Sequence, residues 1–217
     1  MAALDPETWL IVGLSLRVAG TALLLSALLG IPLGAWLGLA RFRGKRHVTA
    51  LVYTGMGLPP VVVGLAVYLL LSRSGPLGVL RWLFTPEAMI LAEMVIALPL
   101  VIAITASAVA AVPAELFQQV RALGASRRQA GWAVLREARA GVLVALAAAF
   151  GRVISEVGAA QMVGGSIQGH TRTFTTAIML ETGKGEFALA LALAGWLLAL
   201  TLAVSVAILG LQGRPSA

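Results

Sequence analysis

Five apolar runs, each long enough to cross a bilayer as a helix, alternate with short polar segments along the chain. The first lies within Ser15–Leu39, the second covers Thr49–Leu71 and the third Ala88–Val112. The fourth covers Gly141–Val163 and the fifth Phe187–Leu211. None shows the ten-residue alternation of a membrane barrel, so the pattern predicts an all-α, polytopic membrane protein with five spans. Prolines punctuate the spans. Pro32 is expected to kink the first and Pro99 lies inside the third. The adjacent Pro59 and Pro60 remove two backbone donors and are expected to bend or break the second in mid-membrane. Asp5-Pro6-Glu7 reads as a helix start rather than a cleaved signal, with Asp as cap, Pro in the first turn and an acid beside the helix dipole.

The charges between the spans set a direction. Arg41, Arg43, Lys45 and Arg46 fill the first connection, and Arg121, Arg127, Arg128, Arg136 and Arg139 the third. Arg214 follows the fifth span. The other side carries Arg73, Arg81, Arg172 and Lys184, so ten cations face four. The positive-inside rule then puts the N-terminus outside and the C-terminus in the cytoplasm. Arg17, near the outer end of the first span, is expected to snorkel.

Composition narrows the chemistry. The chain is 59% hydrophobic and 12% charged, which fits a protein solvated by lipid. Its net charge of +7 is accounted for by the topology-setting loops and implies no nucleic-acid partner. There is no cysteine, and His47 and His170 are far apart in loops, so no metal-site spacing exists. No nucleophile–base constellation marks an enzyme, and no G-x-x-x-x-G-K-[ST] loop is present, so any ATP hydrolysis belongs to another chain.

The segment 113–138 is cytoplasmic and too regular for a turn. Pro113 is placed at the first position of a helix of about eleven residues. Leu116, Phe117, Val120 and Leu123 fall on one face of it, with Gln118, Gln119 and Arg121 elsewhere. Gly124 caps it, and Ser126-Arg127-Arg128-Gln129 has the capping-box pattern that starts a second helix. So short a helix is marginal alone in water. Its apolar face is covered either by the rest of this chain or by a second protein.

Two charges lie inside the fourth span. Arg152 and Glu156 are four residues apart and share a helix face. They either neutralise one another in a packed polar seam, or Arg152 also lines a pathway and compensates a passing anion. Glu156 is read as holding Arg152 or backbone donors in place. Glu93 is read as near an outer membrane interface and is given no role. The segment 164–186 is rich in Gly and hydroxyl residues, among them Gly164, Gly165, Gly169, Thr171, Thr173, Thr175 and Thr176. It is either an ordinary external loop or a source of neutral donors for an oxyanion.

These motifs carry a resemblance. Gln118-Gln119-Val120-Arg121-Ala122-Leu123-Gly124-Ala125-Ser126, followed by Val134-Leu135, resembles the Glu-Ala-Ala … Gly coupling loop of permease subunits in bacterial ABC importers. It departs from that loop at Gln118, where the family usually has Glu, and at Arg136, where it often has Pro. Leu58-Pro59-Pro60-Val61-Val62-Val63-Gly64 is similar to the second core span of type I permeases. Ser155-Glu156-Val157-Gly158-Ala159 and Met162-Val163-Gly164-Gly165 resemble the Glu-Phe-Gly-Ala segment of molybdate and sulfate permeases. The fuller run 151–193 most resembles tungstate permeases.

The resemblance implies a single methionine-permease-like type I transmembrane domain over 8–211, with a coupling loop at 113–138 and an external loop at 164–186. It further implies a homodimer in a bacterial or archaeal cytoplasmic membrane, served by cytoplasmic ABC ATPase subunits and an external oxyanion-binding protein. No cofactor sits on this chain; ATP and Mg belong to the ATPase. Leu116, Phe117, Gln118, Val120, Arg121, Leu123, Gly124, Ala125 and Ser126 are then the coupling residues. Arg152, Glu156, Gly158, Thr171, Arg172 and Thr173 are the pathway residues. Tungstate is the expected substrate, ahead of molybdate and sulfate. The contrasting reading, an ion-coupled secondary carrier using Arg152, Glu156 and Glu93, lacks inverted repeats.

Overall fold

The computed structural model describes residues 6–211, and every regular element among them is helical. Besides one 3-10 turn at Gly78–Leu80, these are in chain order α1 (Pro6–Leu39), α2 (Lys45–Met56), α3 (Pro60–Leu71), α4 (Pro86–Ala110) and α5 (Ala114–Ala122). They continue with α6 (Arg127–Glu137), α7 (Arg139–Ile154), α8 (Gly158–Gly164), α9 (Phe174–Gly183) and α10 (Phe187–Gly210). By length and composition, α1, α4 and α10 can each cross a membrane alone. The pairs α2–α3 and α7–α8 make up to two further spans, bent by 96° and 56°.

The 96° bend falls where Pro59 and Pro60 predict it. Pro59 is extended (φ −63°, ψ 125°) and Pro60 opens α3, where its missing N–H costs nothing. Pro32 does not interrupt α1, which is continuous through it. That helix also starts well before Ser15. Its 34 residues make a rod of about 51 Å, longer than a hydrocarbon core of about 30 Å. Asp5 and Arg214 lie outside the described residues.

The core is a pairing of α1 with α4 along most of their lengths, with α7 packed on both. Small residues let the backbones approach. A Cβ on Gly34 would stand 2.7 Å from the carbonyl oxygen of Ile102 and 2.7 Å from Thr105 Cβ. In lipid, where apolar side chains gain little by leaving the solvent, this close packing is the main source of helix association. Gly34→Val is therefore expected to destabilise the fold by about 1–3 kcal/mol, the usual cost of overpacking. A lowered thermal midpoint of the purified protein checks it. Gly20→Val is the control, because a Cβ on Gly20 meets nothing within 4 Å.

The fourth span is not continuous. α7 stops at Ile154, and the chain turns through Ser155–Val157 before α8 begins. The segment after α8 is likewise more than a loop. It turns at residues 165–173 and returns as α9, a helix with Phe174, Thr175, Thr176, Ala177 and Glu181 buried. α8 packs on α3 and α4, and α9 on α10. A Cβ on Gly64 of α3 would lie 2.8 Å from Ala159 Cα, so the two broken spans meet at their glycines.

Candidate functional site

Two assemblies collect the residues singled out in the sequence. The first surrounds the α7–α8 break. Breaking a helix in apolar surroundings frees backbone groups that must find partners, and nearby side chains supply them. Ser155 Oγ donates back to the Gly151 carbonyl at 2.7 Å. Glu156 Oε1 accepts the Ala159 N–H in the first turn of α8 at 3.2 Å. Thr175, reaching over from α9, donates to the Glu156 carbonyl at 2.6 Å. Glu156 Oε2 is left for Arg152, whose Nη1 lies 3.5 Å away. The Glu156 side chain is 4% exposed and that of Arg152 38%. The carboxylate is thus sealed into the bundle while the guanidinium keeps an open side. Gly158 sits where a Cβ would come within 2.8 Å of Val61 Cγ2 on α3.

Of the other expected pathway residues, Thr173 touches this network through Thr175, their hydroxyls 3.3 Å apart, whereas Thr171 and Arg172 lie elsewhere. Thr171 is fully buried. Its hydroxyl donates to the Gly164 carbonyl at 2.5 Å and accepts the Ile167 N–H at 2.9 Å, which closes the turn between α8 and α9. Thr173 is buried as the cap of α9 in a reciprocal box with Thr176. These hydroxyls are bonded within the loop, which folds inward, so they do not stand as donors at an open mouth. Arg172 is 15% exposed in its side chain and pairs with Glu7 at 3.0 Å; Gln168 holds the other Glu7 oxygen at 2.9 Å. This clasp ties the start of α1 to the α8–α9 turn.

Glu93 is 3% exposed on α4 and so lies inside the bundle. Its Oε2 has no hydrogen-bond partner among the described residues. Arg17 is exposed, at 60% of its side chain, and pairs with Glu87 at 3.3 Å. The role of Glu7 escaped the sequence reading because its partner is 165 residues away. The α7–α8 break did carry a local signal: Ser155-Glu156-Val157-Gly158 interrupts an otherwise apolar run.

The second assembly is the loop between α4 and α7. α5 is nine residues, with Pro113 as its cap (φ −54°, ψ 131°) rather than its first residue. Its end is a complete Schellman turn. Gly124 adopts φ +89°, its N–H bonds the Arg121 carbonyl at 3.0 Å, and the Ala125 N–H bonds the Val120 carbonyl at 3.3 Å. Arg121 Nη1 clamps the Ala125 carbonyl at 2.6 Å. The capping box then forms as the sequence indicates. Ser126 N–H bonds Gln129 Oε1 at 2.7 Å, and Gln129 N–H bonds Ser126 Oγ at 3.3 Å.

The apolar face read as one stripe divides in two. Leu116 and Phe117 are half-buried against Val109, Val134 and Ala138 of the same chain, and Val120 is half-buried. Leu123 is 88% exposed, and Gln118 and Gln119 are also exposed. The geometric reason is the turn itself. It aims Leu123 away from the bundle while α6 folds back on the inner side of α5.

Comparisons with known proteins agree with this architecture. The chain is 48% identical over 200 residues to a probable anion ABC transporter permease protein of Haloferax volcanii, covering 90% of this chain and 86% of that protein. It is 38% identical to the tungstate uptake system permease protein TupB of Peptoclostridium acidaminophilum, over 98% of this chain and 93% of that one. To the molybdenum transport system permease protein ModB of Escherichia coli K12 it is 32% identical, over 86% and 85%. The fold matches that of the inward-facing methionine ABC transporter MetNI. There the TM-score is 0.75 at 21% identity, covering 97% of this chain and 99% of that one. The family model for binding-protein-dependent transport system inner membrane components matches residues 30–212, and the chain belongs to that family.

Proposed function

We propose that this chain is the membrane-spanning subunit of an ATP-driven importer for a tetrahedral oxyanion, with tungstate as its principal cargo. The observation that carries the reading is the likeness to a tungstate permease over nearly the whole chain. The α4–α7 loop supports it. A short helix ending in a rigid Schellman turn, with a bare leucine at its tip, is built to transmit motion to a partner. That partner is a cytoplasmic ATPase, since this chain has no phosphate loop of its own. Two copies of the chain, two ATPases and an external binding protein make up the working unit. The N-terminus lies outside and the C-terminus in the cytoplasm.

Transport in this scheme is a population shift rather than covalent chemistry. ATP binding draws the ATPases together, the coupling turns follow, and the bent spans α2–α3 and α7–α8 change their packing at Gly64 and Gly158. Arg152, with its open side, is the group that compensates a passing dianion. Glu156 is a positioning residue that holds Arg152 and the start of α8. A pathway serving an anion needs weak compensation, since tight binding there would slow release.

Selectivity among tungstate, molybdate and sulfate falls mainly to the binding protein, whose pocket can enclose the ion. The test is ATP hydrolysis by the reconstituted complex with its own binding protein. Tungstate is expected to stimulate it at concentrations at least about a hundredfold below those required of sulfate, a free-energy difference of about 2.7 kcal/mol. Preferential stimulation by an amino acid or a metal cation would reject the oxyanion assignment, and preferential stimulation by phosphate or sulfate would reject tungstate as the principal cargo.

A further inference from the structure

The cytoplasmic ends of α1 and α4 and the start of α5 and α6 enclose a cleft of about 650 Å³. Arg41, Lys45, Arg121 and Arg127 line it, together with the apolar Val112 and Phe117, and no Asp or Glu is among its lining residues. Two of the four cations are already committed to the protein. Lys45 Nζ donates to the Gly38 and Ala40 carbonyls at 3.1 and 2.9 Å, and Arg121 holds the Ala125 carbonyl. Arg41 and Arg127 are exposed and make no side-chain hydrogen bond or ion pair among the described residues. Arg127 also opens α6, an eleven-residue helix whose first N–H groups have no acceptor within it. The cleft thus offers two unpaired guanidinium groups, the start of α6 and an apolar wall. Phe42, which follows Arg41 in the chain, stacks on Trp36 of α1, and Trp36 is 55% exposed.

We infer that this cleft binds the headgroup of an acidic phospholipid of the cytoplasmic leaflet, its phosphate between Arg41 and Arg127. The chemistry required is a phosphate oxyanion, which guanidinium pairs and helix N-termini hold well. The apolar wall of the cleft favours the lipid over a free ion. A lipid brings acyl chains to the exposed flank of α1 and Trp36, whereas a soluble anion leaves that wall unused. Bound there, the lipid bridges the end of α1 to the turn between α5 and α6, and so stiffens the seat of the coupling loop. The inference rests on the orientation proposed above but not on the identity of the cargo.

The test uses the full chain purified from membranes with any subunits that accompany it, and native mass spectrometry of retained lipid. Phosphatidylglycerol is expected to be retained about tenfold more than phosphatidylcholine. Arg41→Gln with Arg127→Gln is expected to lower its retention about fivefold, while Arg43→Gln with Arg128→Gln changes it less than about twofold. The second pair removes the same charge from nearby chain positions that do not line the cleft. Equal losses in the two double variants would reduce the effect to diffuse attraction and overturn the site. Unchanged retention in the first would do the same. Displacement of phosphatidylglycerol by millimolar phosphate or tungstate would make a free anion the occupant and overturn the lipid assignment. The orientation is read separately. A cysteine at Ser74 is expected to react with an impermeant thiol reagent from outside and one at Ala122 not to; the reverse would place the cleft in the outer leaflet and overturn the inference.

Discussion

Leu123→Asp is expected to leave the permease folded in the membrane and to lower substrate-stimulated ATP hydrolysis by the assembled complex at least about tenfold. Burying a leucine side chain in a partner's cleft contributes about 1.5–3 kcal/mol, and an aspartate there adds the cost of desolvating a charge. Loss of about 1.4 kcal/mol already means a tenfold weaker interface. Because Leu123 is 88% exposed, its replacement removes almost nothing from the packing of this chain. Phe117→Asp is a poorer probe, because Phe117 is half-buried on its own bundle and the change would unsettle the loop whether or not an ATPase docks. Gly124→Val gives an independent reading. A Cβ there meets no atom within 4 Å, so its effect comes only from φ +89°, a strain of about 1–2 kcal/mol that redirects the turn. ATPase association and stimulation at wild-type levels in both variants would rule out docking at this turn.

Arg152→Met is expected to cost both stability and transport, and adding Glu156→Gln should recover only the first. Removing the arginine leaves a carboxylate that is 4% exposed with one oxygen unpaired. The penalty is about 1–3 kcal/mol, below that of a fully buried pair because Arg152 keeps an open side. Glutamine relieves the charge and retains an oxygen for the Ala159 N–H, whereas leucine would also uncap α8. The double variant should therefore regain most of the wild-type thermal midpoint. If Arg152 compensates a passing anion, transport by the double variant stays at least about tenfold low. Transport restored along with stability would make the pair structural and leave the pathway without this cation.

Much of this protein was written into its sequence because membrane physics is local. A bilayer offers no hydrogen bonds, so each span is a run of apolar residues whose length, prolines and flanking charges can be read directly. Helix ends obey equally local rules. Ser126 and Gln129 form the box their spacing predicts, and Gly124 takes the left-handed conformation a Schellman turn requires. The Arg152–Glu156 pair forms, but not across a shared helix face: α7 ends at Ile154, and Glu156 reaches Arg152 from the break.

Tertiary structure decided what depends on partners far away in the chain. No short-range pattern says that Thr175 will satisfy the carbonyl freed at Glu156, or that Glu7 will clasp Arg172. The segment 164–186 therefore reads as an open loop of hydroxyls until α9 is seen folded inward, with Thr171 and Thr173 closing its turn. The same holds for the coupling face. Leu116, Phe117, Val120 and Leu123 share one helical periodicity, yet α6 folds back to cover the first two and leaves Leu123 bare. Periodicity fixes which residues share a side of a helix. Which part of that side meets the rest of the chain, and which stays exposed, is set by where the next helix comes to rest.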